Sequence, residues 1–355
     1  MALPVSILAR LRVAGAKMKI SELLESIDHN LYEINMSPSG LGNASKSIDA
    51  LAGMEFELCV PRIMDDDDED SDGGADAIGQ SFERAIGRNV TVANYYHSAE
   101  RDGSSYIIEP DGSIMADRGD MGLEFVSPPM PISEMLSDFD KVVRWCQSVG
   151  AYTNNSTGLH MNVSVKGMGT KEDGGAANTL DYVKLAILLG DRHVLEQFGR
   201  LGNSYAVSAM EKIEALVDKK PEKVAQMLDL MRGRLDHMAS LMIHSGTSKK
   251  YTSINTKKGY IEFRSPGGDW LGDPELIIAA RNSLLRFVVA LDAANDPNKY
   301  RQEYLKKLYA LLGTSKDDKL DLFWKYNTGK ISKQQFINLL RARNSNSGNT
   351  QDENQ

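Results

Sequence analysis

The sequence predicts an α+β fold, a mostly antiparallel sheet backed by helices. Three features carry that expectation. Short segments alternate apolar and polar residues at period two, as strands with one covered face do. Long, uneven insertions separate them, without the single-helix rhythm of βαβ units. Several insertions space their apolar residues helically.

Taken in order, "MKISELLESIDHNLYEI" (18–34) is expected as a first helix and "SPSGLGNASKS" (37–47) as a loop. "GMEFELCVP" (53–61) reads as a strand ended by proline. The acidic run "DDDDEDSDGGAD" (65–76) reads as a solvated loop, too continuous for the spaced ligands of a calcium loop. "AIGQSFERAIG" is a short helix, and "SSYIIEPDGSI" and "GLEFVSPPMP" are two strands with a turn between. In "ISEMLSDFDKVVRWCQSVG", Met135, Phe139, Val142, Val143 and Cys146 recur at helical spacing.

"GLHMNVSV" is a further strand, "GMGTKEDGGAANT" a glycine-rich loop, and helices are expected over about 178–242. "YTSINTKKGYIEFRSPGG" reads as a β-hairpin. Asp273-Pro274 opens a long helix as cap and first-turn residue, three more helical stretches follow over about 298–343, and the polar end reads as disordered.

Composition narrows the function. The chain has 355 residues, 41% of them hydrophobic, enough for a substantial core, and a net charge of −8. That balance argues against nucleic acid as a general partner, which calls for a basic stripe. Cys59 and Cys146 form no CxxC pair, so neither a zinc site nor a disulfide framework is indicated and a reducing, cytoplasmic setting is the expectation. No apolar run approaches the ~20 residues that span a bilayer, so no membrane partner is expected. Residues 1–17 lack a basic start and a cleavage site, which leaves a mobile arm or a true start at Met18 open.

The polar faces of the strands are unusual. Glu55 and Glu57 share a face, opposite Met54, Phe56 and Leu58. His160 and Asn162 share another, opposite Leu159, Met161 and Val163. Glu262 and Arg264 oppose Ile261 and Phe263, and Glu124 lies between Leu123 and Phe125. One wet sheet face would alternate in the same way, but it would mix lysine, threonine and glutamine with its acids. Lysine is absent from these central positions. Crowded carboxylates repel unless a cation neutralises them, and a hard divalent ion such as magnesium suits this donor set. Arg264 supplies a fork for phosphate. No phosphate-binding P-loop, dinucleotide turn or nucleophile elbow is present.

"GMEFELCVP", "EPDGSI…GLEFVSPP", "TGLHMNVSV", "GRLGNSYA" and "YTSINTKKGYIEFRSPGG" follow one another in the order found in the amidoligases. The chain resembles that family of ATP-dependent carboxylate–amine ligases, which is related to glutamine synthetase and the γ-glutamyl–cysteine ligases, over about residues 50–290. The resemblance implies a curved antiparallel sheet, like the glutamine synthetase catalytic domain, holding ATP and two or three magnesium ions on its concave face. It implies Glu55, Glu57, Glu124, His160 and Glu262 as metal ligands and Arg264 as a phosphate-binding, catalytic arginine. Asp111 matches an acidic position. Arg200, as a second catalytic arginine, and Tyr205 fit an element that contacts substrate or phosphate. Where the family commonly has His-x-His, this chain has His160-Met161-Asn162, so Asn162 can bind phosphate or substrate but cannot carry charge.

The division that follows is an arm and helix at 1–48, a catalytic domain at 49–294, a helical extension at 295–343 and a tail at 344–355. The implied reaction joins small-molecule or peptide carboxylates to amines through an acyl phosphate, in bacteria or their viruses. A phosphotransferase of the same fold and a non-catalytic binding or assembly module are the alternatives.

Overall fold

In the computed structural model the strands join one sheet, and helices line its apolar face. The described residues are 35–62, 74–101, 103–168, 180–204, 206–211, 252–257, 259–296 and 331–347, with positions 299, 300, 303, 304, 307, 322 and 325. The expected helix at 18–34, the loop at 169–179, Tyr205 and most of the helical stretches at 212–251 and 298–330 lie outside them.

Helix α1 (Pro38–Ser45) occupies a stretch expected to be loop. Ser37 caps it, accepting from the Gly40 amide at 3.1 Å, and Pro38 sits in the first turn, where no amide hydrogen is needed. Strand β1 (Ala50–Val60) follows. Helix α2 (Gly74–Ile86) begins inside the acidic run, so its last three residues form a helical turn rather than loop. An acid there suits a helix N-terminus, and Asp76 lies in the first turn. Three strands come next, β2 (Val90–Val92), β3 (Tyr106–Pro110) and β4 (Met121–Val126). The short β5 (Met130–Pro131) leads into α3 (Ile132–Val149), which stops at Gly150 in the left-handed conformation.

Strand β6 (Leu159–Val165) precedes α4 (Tyr182–Leu189) and α5 (Asp191–Gln197). β7 (Ile254–Thr256) and β8 (Ile261–Phe263) make the expected hairpin. α6 (Pro274–Asn295) starts at its Asp273 cap, and α7 (Lys333–Ser347) runs four residues into the stretch expected to be disordered. None of the described helices is long and apolar enough to cross a membrane.

The sheet order is β2-β3-β4-β1-β6-β8-β7, with β5 also paired to β1. Every described pairing is antiparallel except β2 with β3. The apolar sides of β1, β4, β6 and β8 face α3 and α6. Phe56 lies 6.2 Å from the ring of Phe139 and 6.4 Å from Trp270, and Phe263 stacks on Phe287 at 4.2 Å. Leu41 of α1 and Phe336 and Ile337 of α7 belong to the same hydrophobic cluster.

Phe82 of α2 is fully buried among Tyr106, Phe125 and Trp145, with ring centroids 4.9–5.4 Å away. Edge-to-face contacts of this kind add to the burial energy. Replacing Phe82 by Ala is expected to destabilise the protein by about 3–5 kcal/mol in urea unfolding.

Candidate functional site

Strand register brings the polar residues together. In β1, Glu57 stands opposite Glu124 of β4, and Glu124 stands opposite Glu109 of β3. On the other side Glu55 faces His160, while Asn162 faces Glu262, which in turn faces Asn255 of β7. Because directly paired residues share a sheet face, all of these lie on the side turned away from the helices. The arrangement leaves no room at Gly158, just before β6, where a Cβ would come 2.7 Å from His160 Nε2.

The side chains interlock. His160 Nδ1 lies 3.1 Å from Glu55 Oε2, and its Nε2 lies 3.6 Å from Glu57 Oε1. Glu57 Oε2 accepts from the Gly158 amide at 2.6 Å. Asn162 donates to Glu55 Oε1 at 2.8 Å. The Asn162 amide nitrogen therefore orients a carboxylate, while its Oδ1 has no partner among the described residues. Glu262 accepts from Arg264 at 3.1 Å and from Asn255 at 2.6 Å, with Lys257 Nζ at 3.2 Å. The central positions hold no lysine, but Lys257, just after β7, reaches Glu262 from the neighbouring strand of the hairpin.

Two groups of possible ligand atoms result: Glu55, His160 and Glu262, and Glu57, Glu124 and His160, with the atoms of each group within 4.8 Å of one another. They comprise all five expected metal ligands. Glu109, which the sequence reading passed over, is not among them. It is 1% exposed, and its two oxygens accept from the His97 amide at 2.9 Å and from His97 Nδ1 at 3.0 Å, with Arg101 at 3.2 Å. The signal was available: in "YIIEP", Glu109 has the parity that Glu124 has in the paired strand.

The charges are unevenly compensated. Burial would raise the Glu55 carboxyl, but the hydrogen bond and charge of His160, then Asn162, outweigh it and hold it down at about 2. Glu124 goes the other way. Burial first, then the charges of Glu55, Glu57, Glu109 and Asp111, push it up to about 9. Its Oε2 is buried and has no hydrogen-bond partner among the described residues. The Tyr96 phenol is pushed up by burial and then by Glu124 and Asp111. Cys59 has the parity of Glu55 and Glu57, yet burial raises its thiol, which makes it a poor nucleophile.

Two cavities open on this face. One, of about 750 Å³, is lined by the carboxylates together with Asp111, Tyr96, His97, Arg101, Lys257 and Tyr260. Another, of about 420 Å³, is lined by Arg200, Asn203, Asn154, Asn155, Ser156 and Met115. Glu57, Ser113, His160 and Arg264 line both. Asp111 accepts from the Ser113 amide at 2.8 Å, forming the turn that enters the larger cavity. Arg200 is buried, donates to the Pro266 carbonyl at 2.7 Å, and stays charged although burial lowers it to about 10. The Nε atoms of Arg200 and Arg264 are buried without a partner among the described residues.

These residues fit a divalent cation. A hard cation prefers carboxylate oxygen, and a carboxyl with an orphaned buried oxygen lacks only such a partner.

Residues 49–279 match the family model described as "Putative amidoligase enzyme". A search among curated proteins finds no match to the chain.

The Glu124 shift has a measurable consequence. A carboxyl whose folded value lies above its unfolded one favours the fold only while protonated. The metal-free protein therefore loses stability as pH rises from about 4.5 towards 9. Glu55 has the opposite sign, its contribution being lost as pH falls from 4.5 towards 2. In thermal melts at pH 8 without metal, Glu124→Gln is expected to be more stable than wild type by about 1–3 kcal/mol, with the gap closing near pH 5. Added magnesium should stabilise the wild type more than the variant, which keeps only the group of Glu55, His160 and Glu262, and so close the gap.

Proposed function

Because the chain belongs to the amidoligase family, we propose that it is an ATP- and magnesium-dependent ligase that joins a carboxylate to an amine through an acyl phosphate. The observation that carries this reading is the orphaned Glu124 carboxyl, in one of two carboxylate–imidazole groups that share His160, which lines both cavities. A phosphotransfer site needs concentrated cation-binding charge between a nucleotide pocket and an acceptor pocket.

Glu55 and Glu262 would hold one magnesium ion and Glu57 and Glu124 another, with His160 between them able to ligate either one. Bound magnesium supplies charge neutralisation for the triphosphate. Asn162 and the Gly158 amide fix the directions of Glu55 and Glu57, so the ligands need little rearrangement on binding. Arg264 lines both cavities, with one nitrogen tied to Glu262 and its Nε unpartnered. It is placed to hold the group in transfer. Arg200, anchored through the Pro266 carbonyl, would stabilise the acyl phosphate once the carboxylate has attacked.

The larger cavity then takes the nucleotide and the smaller one the acid. The smaller cavity carries amides, hydroxyls and two guanidinium groups, and no acid beyond Glu57. That lining suits a small or peptide carboxylate with hydrogen-bonding groups. An amine attacking the acyl carbon completes the amide and releases phosphate. A cytoplasmic setting fits the two buried, unpaired cysteines.

The test is ADP release with magnesium in the presence of pooled amino acids, peptides and amines, followed by mass analysis of the products. Wild type should form ADP and an amide; a phosphorylated acceptor with no amide would point to simple phosphotransfer. Glu55→Gln should lower ADP release about 100-fold or more, with an unchanged circular dichroism spectrum. Equal turnover in the variant would remove Glu55 from the metal set.

A further inference from the structure

Charged side chains make up more than half of the larger cavity's lining, which suits phosphates but not a purine ring. A base needs a flat apolar surface, and aromatic side chains supply it with little regard to its identity. The rings on the cavity wall are Tyr96, His97, His160 and Tyr260. His160 is occupied between Glu55 and Glu57.

Tyr96 and His97 lie in the connection between β2 and β3, and their arrangement is costly to maintain. His97 has φ of 60°, a left-handed conformation that non-glycine residues seldom adopt. It is held there by the buried Glu109, one oxygen on its backbone amide and the other on its ring. A turn in which Ser98 Oγ bonds the Tyr95 carbonyl at 2.7 Å braces the same segment. The Tyr96 ring rests on the His97 ring with centroids 3.8 Å apart and planes tilted by 32°. Tyr96 remains 49% exposed while lining the cavity. An exposed tyrosine held over a cavity by a strained, doubly anchored neighbour is a prepared surface, because among the described residues it is not part of the hydrophobic core.

We infer that the Tyr96–His97 pair is the stacking platform for the purine base of the nucleotide, fixed in place by Glu109. Tyr96 contributes its open ring face, His97 backs it, and Glu109 is a positioning residue. Arg101, which also bonds Glu109 and lines the cavity, stands on the same flank. Tyr260 precedes β8, across β4, β1 and β6 from β3, and so borders the opposite flank. This inference rests on the nucleotide reading above.

The platform should recognise the base and ignore the phosphates. Calorimetric titration of the full chain with magnesium, using ATP and inorganic tripolyphosphate separately, distinguishes the two. Tyr96→Leu is expected to weaken ATP binding about tenfold and leave tripolyphosphate binding unchanged, which also shows that the variant is folded. Tyr96→Phe, which keeps the ring, should bind ATP like wild type. An equal loss for both ligands in Tyr96→Leu, or no loss for ATP, would overturn the platform. So would a loss of ATP binding confined to Tyr260→Leu. If wild type binds neither ligand, the nucleotide reading itself fails and takes the platform with it, an outcome separate from failure of Tyr96 alone.

Discussion

The structure is governed by the cost of placing several carboxylates on one face of one sheet. Mutual repulsion between acids a few ångströms apart must be offset by partners or by protonation. Glu55 has His160 and Asn162, Glu57 has the Gly158 amide, Glu262 has Arg264, Lys257 and Asn255, and Glu109 has His97 and Arg101. Glu124 lies between Glu57 and Glu109 in register and carries the remaining strain as a raised proton affinity. Four acids thus have partners within the protein, and the fifth, Glu124, keeps a buried oxygen with none among the described residues.

That arrangement is possible because the other face is rigid. Phe56, Phe125, Met161 and Phe263 are fully buried, each beside an acid or histidine in sequence. Core side chains interdigitate closely, so the strands cannot slip without losing the apolar contacts. Burying one face therefore determines which carboxylates meet on the other. The long α6 and the aromatic cluster around Phe82 do for the site what no loop could, since ligand directions follow strand directions.

On the proposed reading, the two cavities divide the chemistry. Where they join, Arg264 and His160 are shared, and there a phosphoryl group would pass from one bound molecule to another. Glu109 has the more unexpected part. Although it lies in line with the ligand carboxylates, its oxygens are used by a backbone amide, an imidazole and a guanidinium, so it shapes the wall of the larger cavity.

Much of this was legible in the sequence, and for a definite reason. Period-two alternation places Glu55, Glu57, His160 and Glu262 on polar faces without any knowledge of neighbours, and α3 announces its buried side by helical spacing. The order of these segments also points to the amidoligases. Local signals failed where long-range contacts decide. The segment 37–47 has loop composition, but Ser37 and Pro38 start a helix whose Leu41 is buried in the common core. The meeting of Lys257 with Glu262, the capture of Glu55 by Asn162, and the diversion of Glu109 to His97 all depend on register between strands distant in the chain. Alternation along a strand is a property of the backbone and can be read from one segment. Which acid keeps a partner and which is left without one depends on what the folded sheet brings alongside it, and only the tertiary structure decides that.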